Sequence, residues 1–233
     1  MISKKEGTGR IGALVGYGSQ GKIQNSSVNG ISIKVTENPE NIYAGGILGN
    51  SSNIEIINCF VQDLVMEVNN ATETALGGIL GKEDNSGSIL NCYTTGKIRT
   101  DGQNIGGIVG KTTGYVKSNY SVVNVSGISN YMGGIVGYDN TTDNSYIEKN
   151  LAVGNIYNSS NSTNSNRVAG NPQEGNINYA YQNQYINGYI STESLGARLL
   201  SAKQLLEPNT YREILEMNTN FSYDKLKEQI LPK

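Results

Sequence analysis

The stretch "GYGSQGKI", residues 16 to 23, has the spacing of a phosphate-binding loop. Such a loop needs glycines that bare backbone N–H groups to phosphate, a lysine for the terminal phosphates, and a Ser or Thr hydroxyl for magnesium. Gly16, Gly21 and Lys22 fall in place, but Ile23 stands where the hydroxyl is required. The region also fits G-x-G-x-x-G twice, at Gly7, Gly9, Gly12 and at Gly16, Gly18, Gly21. A dinucleotide fingerprint follows an apolar strand and opens a helix. Here "MISKKE" comes before the first match, and "KIQNSSVNGISIKV", which alternates like a strand, follows the second. No nucleotide site is expected.

Other chemistry is equally sparse. Histidine is absent, which removes the commonest general base and the commonest metal ligand. An HExxH helix, a Ser-His-Asp triad and a Cys-His pair are all excluded within these residues. Cys59 and Cys92 cannot alone complete four-coordinate zinc. "EDNSG" from Glu83 and "DNTTD" from Asp139 offer oxygen ligands of the kind calcium takes, but in no calcium-loop spacing, and read as solvated turns. Sequons such as those at Asn50, Asn70 and Asn140 follow from a composition rich in Asn, Ser and Thr. No catalytic, cofactor-binding or metal-ligating residue is assigned, and no cofactor is expected.

Composition narrows the partners. The net charge of −2 across 233 residues lacks the basic surplus that nucleic acid demands. No apolar run approaches the length of a membrane span. "MISKKE" is charged like the start of a signal peptide, but "IGALVG" is too short and too glycine-broken for its apolar core. Met1 is taken as the start of a segment of a larger protein.

What positions these residues is an internal repeat. "IGALVG" begins at Ile11, "AGGILG" at Ala44, "LGGILG" at Leu76, "IGGIVG" at Ile105 and "MGGIVG" at Met132; a worn copy, "RVAG", ends at Gly170. The closing glycines Gly16, Gly49, Gly81, Gly110, Gly137 and Gly170 are 33, 32, 29, 27 and 33 residues apart. Paired glycines precede them at Gly45 and Gly46, Gly77 and Gly78, Gly106 and Gly107, and Gly133 and Gly134. A second segment follows each block, and its copies align Ile23, Ile56, Ile89, Val116, Ile147 and Ile177 in one column. A second column holds Ser27, Phe60, Tyr93, Tyr120, Leu151 and Tyr181; a third holds Ser26, Cys59, Cys92, Asn119, Asn150 and Ala180.

These units are too short and glycine-rich for helices. A period near 30 with short alternating segments predicts an all-β chain: a parallel β-solenoid of about six coils over residues 1–190. A propeller is the runner-up, but its blades need longer repeats. The isoleucine column is expected to stack inward. The glycines are expected to serve either positive φ or a tight corner where coils approach. Cys59 and Cys92 read as small buried neighbours, since in-register side chains point the same way and a disulfide between them is awkward. The 15 tyrosines could form a sugar-binding strip, although several fall in the stacked column and read as packing.

Residues 191–233 read as a small helical cap, or a linker to a following domain. "SAKQLL" opens with a Ser201–Gln204 capping box, "TYREILEM" with a Thr210–Glu213 box, and "SYDKLKEQIL" with Ser222 as cap. Their apolar faces are expected to cover the unpaired strand edge that a solenoid leaves.

The recurring GG-Ile-Leu/Val-Gly block resembles the GLUG motif of bacterial surface and secreted proteins. The series, together with the ending "NTYREILEMNTNFSYDKLKEQILPK", resembles the N-terminal GLUG region of immunoglobulin-A-cleaving zinc metallopeptidases of Gram-positive bacteria. Leu231 and Pro232 match the Leu-Pro pair that ends that region ahead of the protease domain. The chain lacks the family's HExxH site, so no catalytic residue carries over. The resemblance implies a non-catalytic region of a secreted or wall-attached protease, with a downstream protease domain and a host glycoprotein or surface glycan as partners. A surface adhesin or carbohydrate-binding solenoid with no attached enzyme is the alternative. A polysaccharide lyase would need clustered acidic calcium ligands, and Asp63 alone among the aspartates lies in a repeat strand.

Overall fold

The structure is a computed structural model and describes residues 5–36, 39–69, 71–141, 147–160, 164–172, 177–190, 196–213, 215–216 and 230. The expected Ser222 cap, the Leu231–Pro232 pair, Asn70 and the centre of the "NSSNSTNSN" loop lie outside the described residues.

Each repeat folds into one coil of a parallel β-solenoid of about five turns. The third coil is representative. Glu73–Gly77 lies in a first sheet, Leu80–Glu83 and Ser88–Leu90 in a second, and Tyr93–Thr100 in a third. The coil after it repeats the course in parallel register, matching Leu76 with Ile105, Leu80 with Val109, Ile89 with Val116 and Tyr93 with Tyr120. The expectation of about six coils is corrected by the sixth copy. It supplies the two-residue strand Ser165–Asn166 and a single bridge between Val136 and Ala169, and closes no full first and second sheet. The third sheet, in turn, runs past residue 190, where the sequence placed the boundary: Arg198–Leu200 pairs with Tyr179–Tyr181.

Why the blocks are glycine-rich is now explicit. None of the paired or closing glycines adopts positive φ; what they supply is space. A Cβ on Gly78 would lie 2.2 Å from the Gly107 carbonyl oxygen of the next coil and 2.7 Å from the Thr94 methyl. The left-handed corner falls elsewhere, on the column Asn25, Asn58, Asn91, Ser118 and Lys149, with φ of 52°, 54°, 53°, 58° and 55°. Asn tolerates that region better than most residues, which suits the first three positions. A further φ of 54° at Asp63 marks a bulge in the third sheet, where Gln62 and Asp63 oppose Thr95.

The core runs along the axis. Ile56, Ile89, Val116 and Ile147 stack in register and are buried, and Ile23 caps their column half-buried at the open first coil. Burying each such side chain contributes about 1.5–3 kcal/mol. Ile177 departs from this expectation, at 41% exposure. Leu151 pairs with Tyr179, not with Tyr181. The last copy is therefore shifted by two residues, and Ile177 lands in the column of the left-handed corner.

The same shift places Asn178, not Ala180, below Asn150. The result is a buried asparagine ladder. Cys92 N–H donates to Asn119 Oδ1 (2.8 Å), Asn119 N–H to Asn150 Oδ1 (3.0 Å) and Asn150 N–H to Asn178 Oδ1 (3.1 Å). Each side-chain amide donates to a carbonyl of the coil before: Asn119 to Ile89, Asn150 to Val116, Asn178 to Ile147. Cys92 and Cys59 are free, buried thiols that continue the column, with Cys59 N–H 3.4 Å from Cys92 Sγ. Burial pushes the Cys92 thiol above its ordinary value.

The stack ends at Arg167, which occupies the place of the second block glycine. Its Nη1 donates to the Tyr181 carbonyl at 3.0 Å and to Gln184 Oε1 at 3.4 Å. In earlier coils the next backbone forbids any side chain here. The sixth copy, beyond the last full coil, has no such neighbour among the described residues, so a long side chain fits.

The C-terminal segment forms α1 (Ala202–Leu206) and α2 (Pro208–Glu213). Both halves of the Ser201–Gln204 capping box are present. The second box is not: Thr210 lies inside α2 and its hydroxyl donates to the Gln204 carbonyl at 2.6 Å. Rather than covering only a strand edge, the segment lies against the outer face of the third sheet. Leu205, Tyr211, Leu215 and Ile230 pack there on Tyr93, Tyr120, Leu151 and Tyr181. Glu216 adds ion pairs to Lys117 (3.6 Å) and Lys149.

Candidate functional site

The phosphate-loop look-alike is dissolved by the fold. Val15–Gln24 is one continuous strand paired with Leu48–Ile57, so Gly16, Gly21 and Lys22 open no helix. Lys22 instead pairs with Glu55 at 2.7 Å on the surface. Among the described residues no three His, Cys, Asp or Glu side chains converge.

The two loop carboxylates expected in solvated turns are buried. Ser51, Glu83, Thr112 and Asp139 share one column of the second sheet. Glu83 accepts from the Ser51 hydroxyl and from the backbone N–H groups of Asn53 and Asn85, both at 2.9 Å. Asp139 accepts from the Thr141 N–H at 2.9 Å, but burial outweighs that bond and raises its carboxyl above the usual range. A raised folded value means that the native state holds the proton more tightly. The stability this brings at acid pH is lost as pH rises from the unfolded value through the folded one. Asp139→Asn is therefore expected to raise the urea midpoint at neutral pH and to leave it unchanged at acid pH. A midpoint that falls at both pH values would show that the carboxylate is needed as an acceptor.

The most distinctive surface feature is a seam between the first and second sheets. Each glycine block bends the chain so sharply that the residues just outside it, seven apart in sequence, face each other. The pairs are Arg10 with Tyr17, Tyr43 with Asn50, Ala75 with Lys82, Asn104 with Lys111, Tyr131 with Tyr138, and Asn164 with Asn171. Strand register places the first members in one column of the first sheet and the second members in one column of the second. The block glycines form the floor, where the two backbones touch.

Contacts zip the columns together. The Arg10 guanidinium lies 5.2 Å from the Tyr17 ring centre, and its Nε donates to Asn50 Oδ1 at 3.1 Å. Lys82 Nζ sits 4.6 Å from the centre of the Tyr43 ring and 3.0 Å from Asp84. Asn50 Nδ2 donates to Asp84 at 2.9 Å. Burial pushes the Asp84 carboxyl up, but the Asn50 amide and the Lys82 ammonium outweigh it and hold it below the usual range. Further along, Lys111 lies 5.6 Å from the Tyr138 ring, and the Tyr131 and Tyr138 rings meet at 4.5 Å. The seam presents Arg10 and Tyr17 as exposed groups and Lys82, Lys111, Tyr131 and Tyr138 as half-buried ones, while Tyr43, Asn50, Ala75 and Asn104 are buried within it. It holds no activated nucleophile.

A second aromatic stack is used internally. Phe60, Tyr93 and Tyr120 lie face to face at 4.9 and 5.0 Å, and the C-terminal segment covers the latter two.

Sequence reasoning found the glycine blocks and the inward columns but missed the seam. The signal was present: the residues immediately flanking each block are Arg, Tyr, Lys or Asn in eleven of twelve positions, counted over the six pairs above, with Ala75 the exception. Comparison of the chain with protein-family models, with characterised proteins and with solved structures gives no match.

Proposed function

We propose that this chain is a non-catalytic repeat scaffold that positions a glycoprotein substrate for, or spaces from the cell surface, the protease domain of a secreted or wall-attached bacterial zinc metallopeptidase. The observation that carries the reading is the seam. It is a periodic row of aromatic, basic and amide side chains, partly exposed, on a parallel β-solenoid whose polar interior is engaged in hydrogen bonds between coils. Rigidity suits spacing and positioning, because a pre-organised surface loses little entropy on binding. The GLUG-like blocks and the Leu-Pro ending motivate the assignment to a protease parent. A second reading, a surface adhesin or carbohydrate-binding solenoid without an enzyme, is favoured by the exposed Tyr17 ring and the partly exposed Tyr131 and Tyr138 rings.

The test is to incubate the purified chain with immunoglobulin A, casein and a panel of acidic polysaccharides, and to measure bound metal. Intact substrates and no stoichiometric zinc are the expected result. Cleavage that survives repurification, or one zinc per chain, would overturn the scaffold reading.

A further inference from the structure

We infer that the seam is a track for a linear glycan lying along the solenoid axis, with Tyr17 and Tyr138 as stacking platforms at its two ends. This rests on reading the seam as the contact face of the scaffold. Three observations lead to it. First, Tyr17, Asn50, Lys82, Lys111 and Tyr138 follow one another in parallel register. Tyr17 and Tyr138 are thus four strand spacings apart, about 19 Å at about 4.8 Å each, which is the span of an oligosaccharide of about four residues. A polymer with its own regular repeat can meet such a row; a globular ligand meets two or three of its members.

Second, the ring faces are amphipathic. The Tyr17 side chain is 53% exposed, with Arg10 against its ring. Tyr138 is half-buried between Tyr131 and Lys111. An aromatic ring with polar groups beside it matches a sugar, which has an apolar C–H face and a rim of hydroxyls. Third, the charges nearly balance. Arg10, Lys82 and Lys111 are offset by Asp84 and by Glu73, which hydrogen-bonds Tyr43. A strongly polyanionic strand, nucleic acid included, is therefore a poorer fit than a hydroxyl-rich chain with few charges. At the centre Asn50 is buried and spent on Arg10, Lys82 and Asp84, so the Lys82 ammonium and the Asp84 carboxylate, both partly exposed, are the donor and acceptor offered to paired hydroxyls.

The experiment is calorimetric titration of the full chain with cello-, chito- and hyaluronan oligosaccharides from disaccharide to octasaccharide. In at least one series, affinity is expected to rise steeply up to the tetrasaccharide and then level off. Tyr17→Ala and Tyr138→Ala are each expected to weaken that binding about tenfold, the size of one lost stacking contact. Tyr157→Ala, an equally exposed tyrosine on the third sheet, is expected to bind as the parent does. A glycopeptide carrying the best-binding glycan separates a glycoprotein source from a free polysaccharide: equal affinity places recognition in the sugar alone, and tighter binding adds the peptide. No binding in any series, affinity independent of length, or seam variants that bind like the parent would overturn the track and leave the scaffold reading standing. Hydrolysis of the oligosaccharides would overturn the non-catalytic reading beneath it.

Discussion

Gly110→Ala is expected to destabilise the chain by at least about 3 kcal/mol, while Gly16→Ala, at the same repeat position, costs about 1 kcal/mol or less. Both are closing glycines. In the interior coil, a Cβ at residue 110 would lie 2.3 Å from Leu76 N, 2.6 Å from the Ala75 carbonyl carbon and 2.7 Å from the Gly81 carbonyl oxygen. All three are backbone atoms, held from the neighbouring coil by the ladder, so no side chain can swing aside. Relief would need the first and second sheets to part, and every coil stacked above and below resists that. At residue 16, in the first coil of the described residues, the atoms within reach belong to the same coil. The nearest atoms are Arg10 O at 2.9 Å and Arg10 C at 3.8 Å, and the end coil can move a few tenths of an ångström. Urea midpoints of the two variants, compared at equal slope, test the difference. Equal losses at both positions would mean that the glycines serve local backbone freedom rather than the approach of coils.

The contrast shows which parts of this fold can be read in the sequence. A solenoid repeats one environment, so each column of the stack becomes a column of the sequence, and Ile56, Ile89, Val116 and Ile147 reveal themselves by likeness. Where the copies degrade, period-two alternation cannot fix register. In "INYAY" Tyr179 and Tyr181 stand two apart, so a two-residue slip keeps a tyrosine on the outer face of the third sheet, although it carries Ile177 out of the inward column. Tyr181 fits the hydrophobic pattern as well as Tyr179, the true partner of Leu151, and the buried Asn178 resolves the choice. The seam was hidden for a different reason. Arg10 and Tyr17 match no motif together, and they meet because a glycine-floored bend folds the first sheet against the second. Glu83 and Asp139 looked like surface turn residues because nothing local shows that their corner closes over them.

Asn150→Ala is expected to cost about 3–5 kcal/mol, whereas Cys92→Asn, two coils away in the same column, is expected to stabilise by about 1 kcal/mol. Asn150 holds three places at once. Its Oδ1 accepts from both the N–H and the Nδ2 of Asn119, and its Nδ2 donates both to the Val116 carbonyl and to Asn178 Oδ1. Truncation leaves a buried N–H and a buried carbonyl without partners, at about 1–3 kcal/mol each, and adds a cavity. Water cannot repair the loss, because the position is fully buried. At Cys92 the column is served by sulfur, a weak acceptor and a weak donor: Cys59 N–H reaches Sγ at 3.4 Å, and Sγ lies 3.7 Å from the Ile56 carbonyl oxygen. An asparagine there would extend the ladder by one rung, offering Oδ1 to the Cys59 N–H and Nδ2 to the Ile56 carbonyl. The backbone around it already follows the course that accommodates Asn119 in the next coil, so the larger side chain needs little room. Chemical denaturation of both variants, with hydrogen exchange at the Asn119 and Cys59 amides, separates the contributions. If Cys92→Asn unfolds the protein or leaves the Cys59 amide unprotected, the ladder is not what organises this corner. If Asn150→Ala costs less than about 1 kcal/mol, its four side-chain bonds are replaced by others and the interior is less tightly specified than its geometry implies.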